Sequence, residues 1–282
     1  MSNKLSSILK DNHVLLTGGT GGLGLGVTPT VLAHKPASVT IPYTNARNVE
    51  RLKSVLSVTD LDSIRFVTAN LTDESPVENL VNEMEQVDVL IHLVGGFSIG
   101  KTHEYPYEKW KADLGPFQII KCPAVATSRR AKAPKYLGRR QNIFNTALAF
   151  ITWRSLELNL ALAFLVLKHS LRRMLEHGYG RIVTVGSRGA VQPGGKLAAY
   201  CAAKAGLVAL TQAIADETKG TNITANIVLP SVIDTPSNRD AMNTENASGW
   251  VKPDSLAQVI CFLASEAAVD MRGAVVPVYG NI

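Results

Sequence analysis

Apolar runs of strand length alternate along the chain with amphipathic stretches of helix length. Residues 12–17 (NHVLLT), 38–43 (SVTIPY) and 64–68 predict three strands, and 87–94 (VDVLIHLV) a fourth, apolar enough to be buried on both faces. Between them, a stretch ending near residue 34 and residues 46–56 and 75–85 predict helices. Pro29 lies inside the first, where its ring and missing N–H should produce a kink. Beyond an irregular middle, 155–177 predicts a long helix closed by Gly178, and 181–185 a strand. Residues 200–219 then predict a helix, 222–229 a strand, 255–265 a helix and 274–278 a last strand. Such alternation stacks βαβ units, so the expected fold class is α/β, a doubly wound parallel sheet of about seven strands with helices on both faces.

Composition narrows this further. With 46% hydrophobic and 18% charged residues, the 282 residues suit one domain with a sizeable core and exclude wholesale disorder. No uninterrupted apolar run reaches the ~20 residues of a membrane span. The nearest, 147–167, contains Arg154, Glu157 and Asn159 and reads as a buried helix. The first ten residues lack a secretory core. Cys122, Cys201 and Cys261 are far apart and odd in number, which suits a reducing, cytoplasmic setting. Neither they nor the six histidines have metal-ligand spacing, so no metal is expected. The net charge of +6 resides in residues 112–153, where Lys121, Arg129, Arg130, Lys132, Lys135, Arg139 and Arg140 face one acid, Asp113. The rest of the chain is neutral.

Candidate chemistry begins at 17–24, TGGTGGLG, between the first strand and first helix. Glycines there let backbone N–H groups approach a pyrophosphate, with the helix N-terminus behind them. The second strand ends in Tyr43-Thr44-Asn45-Ala46-Arg47, with no acid before Glu50. An acid would bind a ribose 2′-hydroxyl and a basic residue a 2′-phosphate, so NADP is favoured over NAD, with Arg47 the candidate contact.

Tyr200 and Lys204 stand at i and i+4 on one helix face, and Ser187 lies thirteen residues before Tyr200, just after the strand RIVTV. With the glycine loop, this set resembles the short-chain dehydrogenase/reductase family along almost the whole chain except its middle. Thr17, Gly18, Gly22 and Gly24 match that family's TGxxxGxG loop, in which Leu23 is the intervening apolar residue. Asn159, Ser187, Tyr200 and Lys204 match its catalytic residues. Residues 230–235 (PSVIDT), with Pro230, Val232 and Thr235, resemble its segment around the nicotinamide carboxamide. Asn70 and Leu71 stand where the family meets the adenine, and Val94 and Gly95 in place of its NNAG turn.

The resemblance implies a Rossmann fold and an NAD(P)-dependent carbonyl–alcohol oxidoreductase acting on a small molecule. Tyr200 would be the general acid/base and Ser187 would hold the reacting oxygen. Lys204 would bind the nicotinamide ribose and, with the oxidised ring, lower the phenol's pKa from near 10. Asn159 would hold a water in the proton relay. A homodimer or homotetramer, with neither nucleic acid nor membrane as partner, is also implied.

Two departures qualify the match. His92-Leu93-Val94-Gly95 replaces NNAG; a Val-Gly-Gly-Phe version, here 94–97, occurs in the dihydropteridine-reductase type, and His92 reads as structural. Residues 112–153 interrupt the helix that should run into Asn159, and removing these 42 residues leaves 240, an ordinary family length. Three prolines and no clear periodicity mark them as an insertion, read as translated intervening sequence rather than a functional element. A basic arm for nucleic acid or acidic partners is the competing reading. If the insertion displaces Asn159, the chain would instead be a catalytically impaired dinucleotide-binding sensor or scaffold.

Overall fold

The computed structural model describes residues 7–96 and 156–282. The 112–153 insertion, Cys122, Phe97 and the pocket segment following it lie outside the described residues.

Seven strands form one parallel sheet in the order β3-β2-β1-β4-β5-β6-β7. They are β1 (His13–Thr17), β2 (Ser38–Tyr43), β3 (Ile64–Thr68), β4 (Val89–His92), β5 (Gly180–Val185), β6 (Ile223–Pro230) and β7 (Val275–Val278). The order reverses beside β1, so the crevice between the carboxyl ends of β1 and β4 is the switch point where such sheets bind ligands. Register puts Thr17 opposite His92 at that crevice.

Period-two alternation divides the core between the two sheet faces. Val14 and Leu16 of β1 join Val27 and Val31 of α1 (Gly24–Ala33) on one side. Leu15 joins Val77 of α4 (Glu74–Asn82), Val166 of α5 (Leu162–His177) and Leu207 of α6 (Ala198–Glu217) on the other. α8 (Pro253–Leu263) packs beside α1. Pro29 sits within α1, which continues through it as one helical element. α6 has the length and mean hydropathy (1.3) of a membrane-crossing helix, yet 44% of that window is buried inside the fold.

Several boundaries differ from expectation for local reasons. α2 (Ala46–Lys53) stops early because Ser57 and Asp60 form a capping box that starts a separate short helix, α3 (Val58–Leu61). β4 ends at His92 rather than 94, since the next residues leave the sheet to form the crevice wall. The long helix is not regular: Glu157–Ala161 is a π-helical turn running into α5. α7 (Pro236–Ala241), after β6, was also not expected.

Candidate active site

The glycine loop leaves β1 with its positions fixed by close approach. Gly18 has φ +78°, and a Cβ there would meet Val94 N at 3.1 Å. A Cβ on Gly24 would fall onto the Gly18 and Gly19 carbonyls, which excludes any side chain. No side chain caps the first turn of α1 and no acid lies in it, which suits an anionic group at its N-terminus. A cradle of this form fits a dinucleotide pyrophosphate.

Thr17 is fully buried, and its Oγ1 lies 2.8 Å from His92 Nδ1. Burial, reinforced by the charge of Lys204, pushes the imidazole down to about 3, so His92 is neutral at physiological pH. It is a tie between β1 and β4 beneath the loop, in keeping with a structural role.

Two adjoining cavities open on this crevice and share Gly22, Leu23 and Gly95. The smaller, about 360 Å³, is also lined by Asn45, Asn48, Asn70, Leu71 and Val94 and fits an adenosine end. Asn70 is held in its own turn, donating to Asp73 Oδ2 at 2.8 Å and accepting from Thr72 Oγ1 at 2.9 Å. Arg47 is exposed at the start of α2 and does not line this cavity. The basic side chain that reaches the glycine loop is Arg51, one turn on, donating to the Thr20 carbonyl at 3.4 Å. Sequence reasoning missed it because the sequence shows Arg47 and Arg51 on one helix edge but not which of them turns toward the glycine loop.

The larger cavity, about 790 Å³, brings together Ser187, Tyr200, Lys204, Pro230, Val232 and Thr235. Ser187 follows β5 as the cap of a one-turn helix, accepting from Gly189 N at 3.1 Å. Ser187 also hydrogen-bonds the Tyr200 phenol. Lys204 lies one turn along α6, with Nζ donating to Val185 O at 2.9 Å and standing 6.0 Å from the Tyr200 ring centroid. Thr235 caps α7, its Oγ1 accepting from Asn238 N at 3.3 Å, and packs beside Gly22.

Asn159 sits in the π turn, fully buried. Its side chain donates to Gly96 O at 2.8 Å and accepts from Gly96 N at 3.2 Å, clamping the segment after β4. A Cβ on Gly95 would lie 2.7 Å from Asn159 Oδ1 and 2.9 Å from Lys204 Nζ, so both groups converge on that glycine. The widened turn is the kind of irregularity found at functional positions.

The expected lowering of the tyrosine is not what the protein by itself shows. Burial holds Tyr200 above the ordinary phenol value; the Ser187 hydrogen bond opposes this and Cys201 adds to it. Burial also pulls Lys204 down to about 8. At 6.0 Å from the ring centroid, its charge does not offset the phenol's desolvation. Cys201 and Cys261 are buried free thiols, and no cluster of metal-ligating side chains occurs among the described residues. Asp234 and Arg239 form an ion pair with each other (2.8 Å).

A family model described as short chain dehydrogenase matches residues 12–115 and 141–246. A 3-oxoacyl-[acyl-carrier-protein] reductase of Rickettsia conorii is 24% identical over 277 residues, covering 95% of both chains. One from Mycobacterium tuberculosis is 36% identical over 132 residues, 44% of this chain and 53% of that protein. Among solved structures, levodione reductase aligns with TM-score 0.73 at 22% identity over 96% of each chain. An oxidoreductase of Burkholderia thailandensis aligns with TM-score 0.72 at 24% identity, covering 96% of this chain and 92% of that one. Likeness at this identity bears on the fold.

Proposed function

The chain belongs to the short-chain dehydrogenase family of NAD(P)-dependent oxidoreductases, and from that premise we propose that it reduces a carbonyl compound with NADPH, or runs the reverse oxidation. The observation that carries this is the convergence of Ser187, Tyr200 and Lys204 in one cavity beside the glycine loop. The relatives' 3-oxoacyl reductase names favour reduction as the working direction.

When bound, the nicotinamide supplies or accepts the hydride. The glycine loop and α1 would hold the pyrophosphate, and Thr235 with Val232 and Pro230 would flank the nicotinamide. Asn70 and Leu71 would line the adenine. Arg51, with Arg47 beyond it, would hold a 2′-phosphate; the absence of an acid from 43 to 49 supports NADP over NAD.

Ser187 donates a hydrogen bond to the carbonyl oxygen, placing it against the Tyr200 hydroxyl. Tyr200 gives its proton to that oxygen as negative charge develops. Its raised value in the protein alone keeps the phenol protonated and able to donate. Lys204, still largely ammonium at neutral pH, stabilises the phenolate that remains and would bind the nicotinamide ribose. Asn159, by fixing Gly96, shapes the wall beside Lys204 and would position a water that returns the proton.

A cytoplasmic homo-oligomer is part of this reading. The half-exposed Phe164 on α5 supports a helix-mediated interface, and the buried free thiols a reducing compartment. The family match breaks at 116–140, inside the basic stretch, which supports reading 112–153 as an insertion.

The test is binding of NADPH and NADH to the full chain and to a chain lacking 112–153, followed by a carbonyl panel. NADPH binding and turnover by both is the expected result. Turnover by the shortened chain alone would identify the insertion as inactivating. Binding by neither would refute the reading of the glycine loop.

A further inference from the structure

The segment after β7 returns to the larger cavity. Gly280 turns the backbone at φ +65°, and a Cβ there would fall onto the Gly249 carbonyl, so the turn requires glycine. Ser231 Oγ donates to Tyr279 O at 2.6 Å and Asn281 N to Gly249 O at 2.9 Å, fixing the residues on either side. A Cβ on Gly249 would lie 2.8 Å from Ile282 Cγ2, so that glycine makes room for the Ile282 side chain. Ile282 thereby joins the cavity lining.

A second hold comes from beside Ser187. Arg188 Nη1 donates to a main-chain oxygen of Ile282, the last residue of the sequence, at 3.0 Å. Its Nε donates to Gln192 Oε1 at 2.7 Å, and its guanidinium lies 5.0 Å from the Tyr279 ring centroid. A planar guanidinium oriented by an amide and a ring fixes the direction of the bond it gives. Arg188 therefore ties residue 282 to the turn that carries Ser187 and is committed to that oxygen.

What Ile282 presents to the cavity is aliphatic surface. It is 42% exposed, and Leu197, Val232, Ile233 and Met242 line the same space. Val232 and Ile233 share its support, since Val251 N donates to Val232 O at 2.9 Å and Ile233 pairs with Val251, two residues beyond Gly249. Ser187 and Tyr200 supply the polar end of this cavity, and an apolar group lying along the aliphatic side chains would cover them from water.

We propose that Ile282, held by Arg188, is the end wall of an apolar pocket, so that the substrate is a carbonyl compound whose apolar substituent runs from Ser187 toward Ile282 and is limited in length by it. This rests on the reductase reading above and names its substrate class. Ile282 meets the substituent, and Arg188 is a positioning residue that acts through Ile282.

The test is reduction with NADPH, by the full chain, of methyl ketones from butanone to decan-2-one, comparing kcat/KM within the series. The parent should pass through a maximum and decline beyond it. Ile282→Ala should move the maximum to a longer ketone and raise the ratio of decan-2-one to butanone about tenfold, the order of effect of a methylene in an apolar pocket. Ile282→Trp should move it to a shorter one. Arg188→Met should shift the profile in the same direction as Ile282→Ala, and Arg188→Lys, which can still donate to the Ile282 oxygen, should restore part of the parent profile. A loss shared equally by every ketone, a maximum that the Ile282 variants leave unmoved, or a fall in the long-to-short ratio of Ile282→Ala overturns the end wall while leaving the reductase intact. Turnover of other carbonyls with no methyl ketone used does the same. No NADPH binding, or no oxidation of NADPH by any carbonyl, overturns the reductase reading and the end wall with it.

Discussion

Replacing Lys204 by Met should separate what this residue costs the fold from what it does in the site. Its ammonium is 3% exposed, makes one protein hydrogen bond, to Val185 O at 2.9 Å, and has its pKa drawn from 10.5 to about 8 by burial. Between those values the unfolded chain holds a proton that the folded chain has released, so stability rises with pH across that window. It is lost as pH falls through 8. Each pH unit with one full proton of difference corresponds to ~1.4 kcal/mol, so the whole window is worth about 3 kcal/mol. At pH 7 the native state bears that cost in full, and Met escapes it. Met also abandons the Val185 carbonyl, at a cost of ~1–3 kcal/mol. The variant should therefore equal or exceed the parent by ~0–2 kcal/mol at pH 7 and fall below it near pH 10.5. Urea melts of both proteins in parallel, from pH 7 to 10.5, test this, because the difference cancels titrations common to the two. A difference that stays flat across the range would refute the account. Turnover should be lost in the variant at every pH, making it a stabilised or neutral but inactive protein.

Gly95→Ala should keep the fold but lower kcat by ~100-fold, since its Cβ would displace Asn159 Oδ1 (2.7 Å) and Lys204 Nζ (2.9 Å); circular dichroism beside NADPH oxidation checks both halves. His92, held at about 3 against its usual 6.5, makes the fold acid-sensitive. As pH falls through that window the unfolded chain takes up a proton the native imidazole refuses, so stability falls by up to ~5 kcal/mol, ~3 of it above pH 4, and His92→Asn should remove most of this dependence in urea melts at pH 4 and 7. Arg51→Ala should raise the Kd for NADPH about tenfold and leave NADH nearly unchanged, with Arg47→Ala weaker; fluorescence titration decides it. Transcript sequencing tests the insertion, with a message lacking the bases for 112–153 expected.

The parts of the fold legible in the sequence are those where local rules and tertiary packing agree. β2, a run buried inside the sheet, and β3, a half-buried edge strand, were both bounded correctly because polar or turn-forming residues flank them. The helix carrying Tyr200 and Lys204 was recognisable because residues at i and i+4 must share a face. The π turn was not, because hydrophobic periodicity reports which residues face the core and not which carbonyl each N–H reaches. α3 and α7 were missed as well: at 4 and 6 residues they are too short to show a period, and the local signals were their capping side chains and Pro236 at the start of α7.

Within the site, residue identity was legible and orientation was not. Arg47 and Arg51 share a helix edge, yet only one reaches back to the Thr20 carbonyl, a fact of how α2 leaves β2. Arg188 drew no notice because a basic residue after a serine is unremarkable until Gln192, Tyr279 and a main-chain oxygen of the last residue, Ile282, are seen holding it. The same reasoning reconciles the tyrosine. Sequence places a cation one turn away and implies an acidic phenol, whereas burial acts on Tyr200 and Lys204 together and makes both reluctant to ionise. Burial makes each charge costly on its own, with Lys204 still largely ammonium at pH 7, and a phenolate developing beside that ammonium would offset the cost to both. In the proposed reduction, proton transfer from Tyr200 would accompany the arrival of a carbonyl oxygen to receive it, ionisation in its absence being disfavoured by burial. A pH profile of kcat/KM should accordingly report the coupled pair, with no single-residue pKa recoverable from either limb.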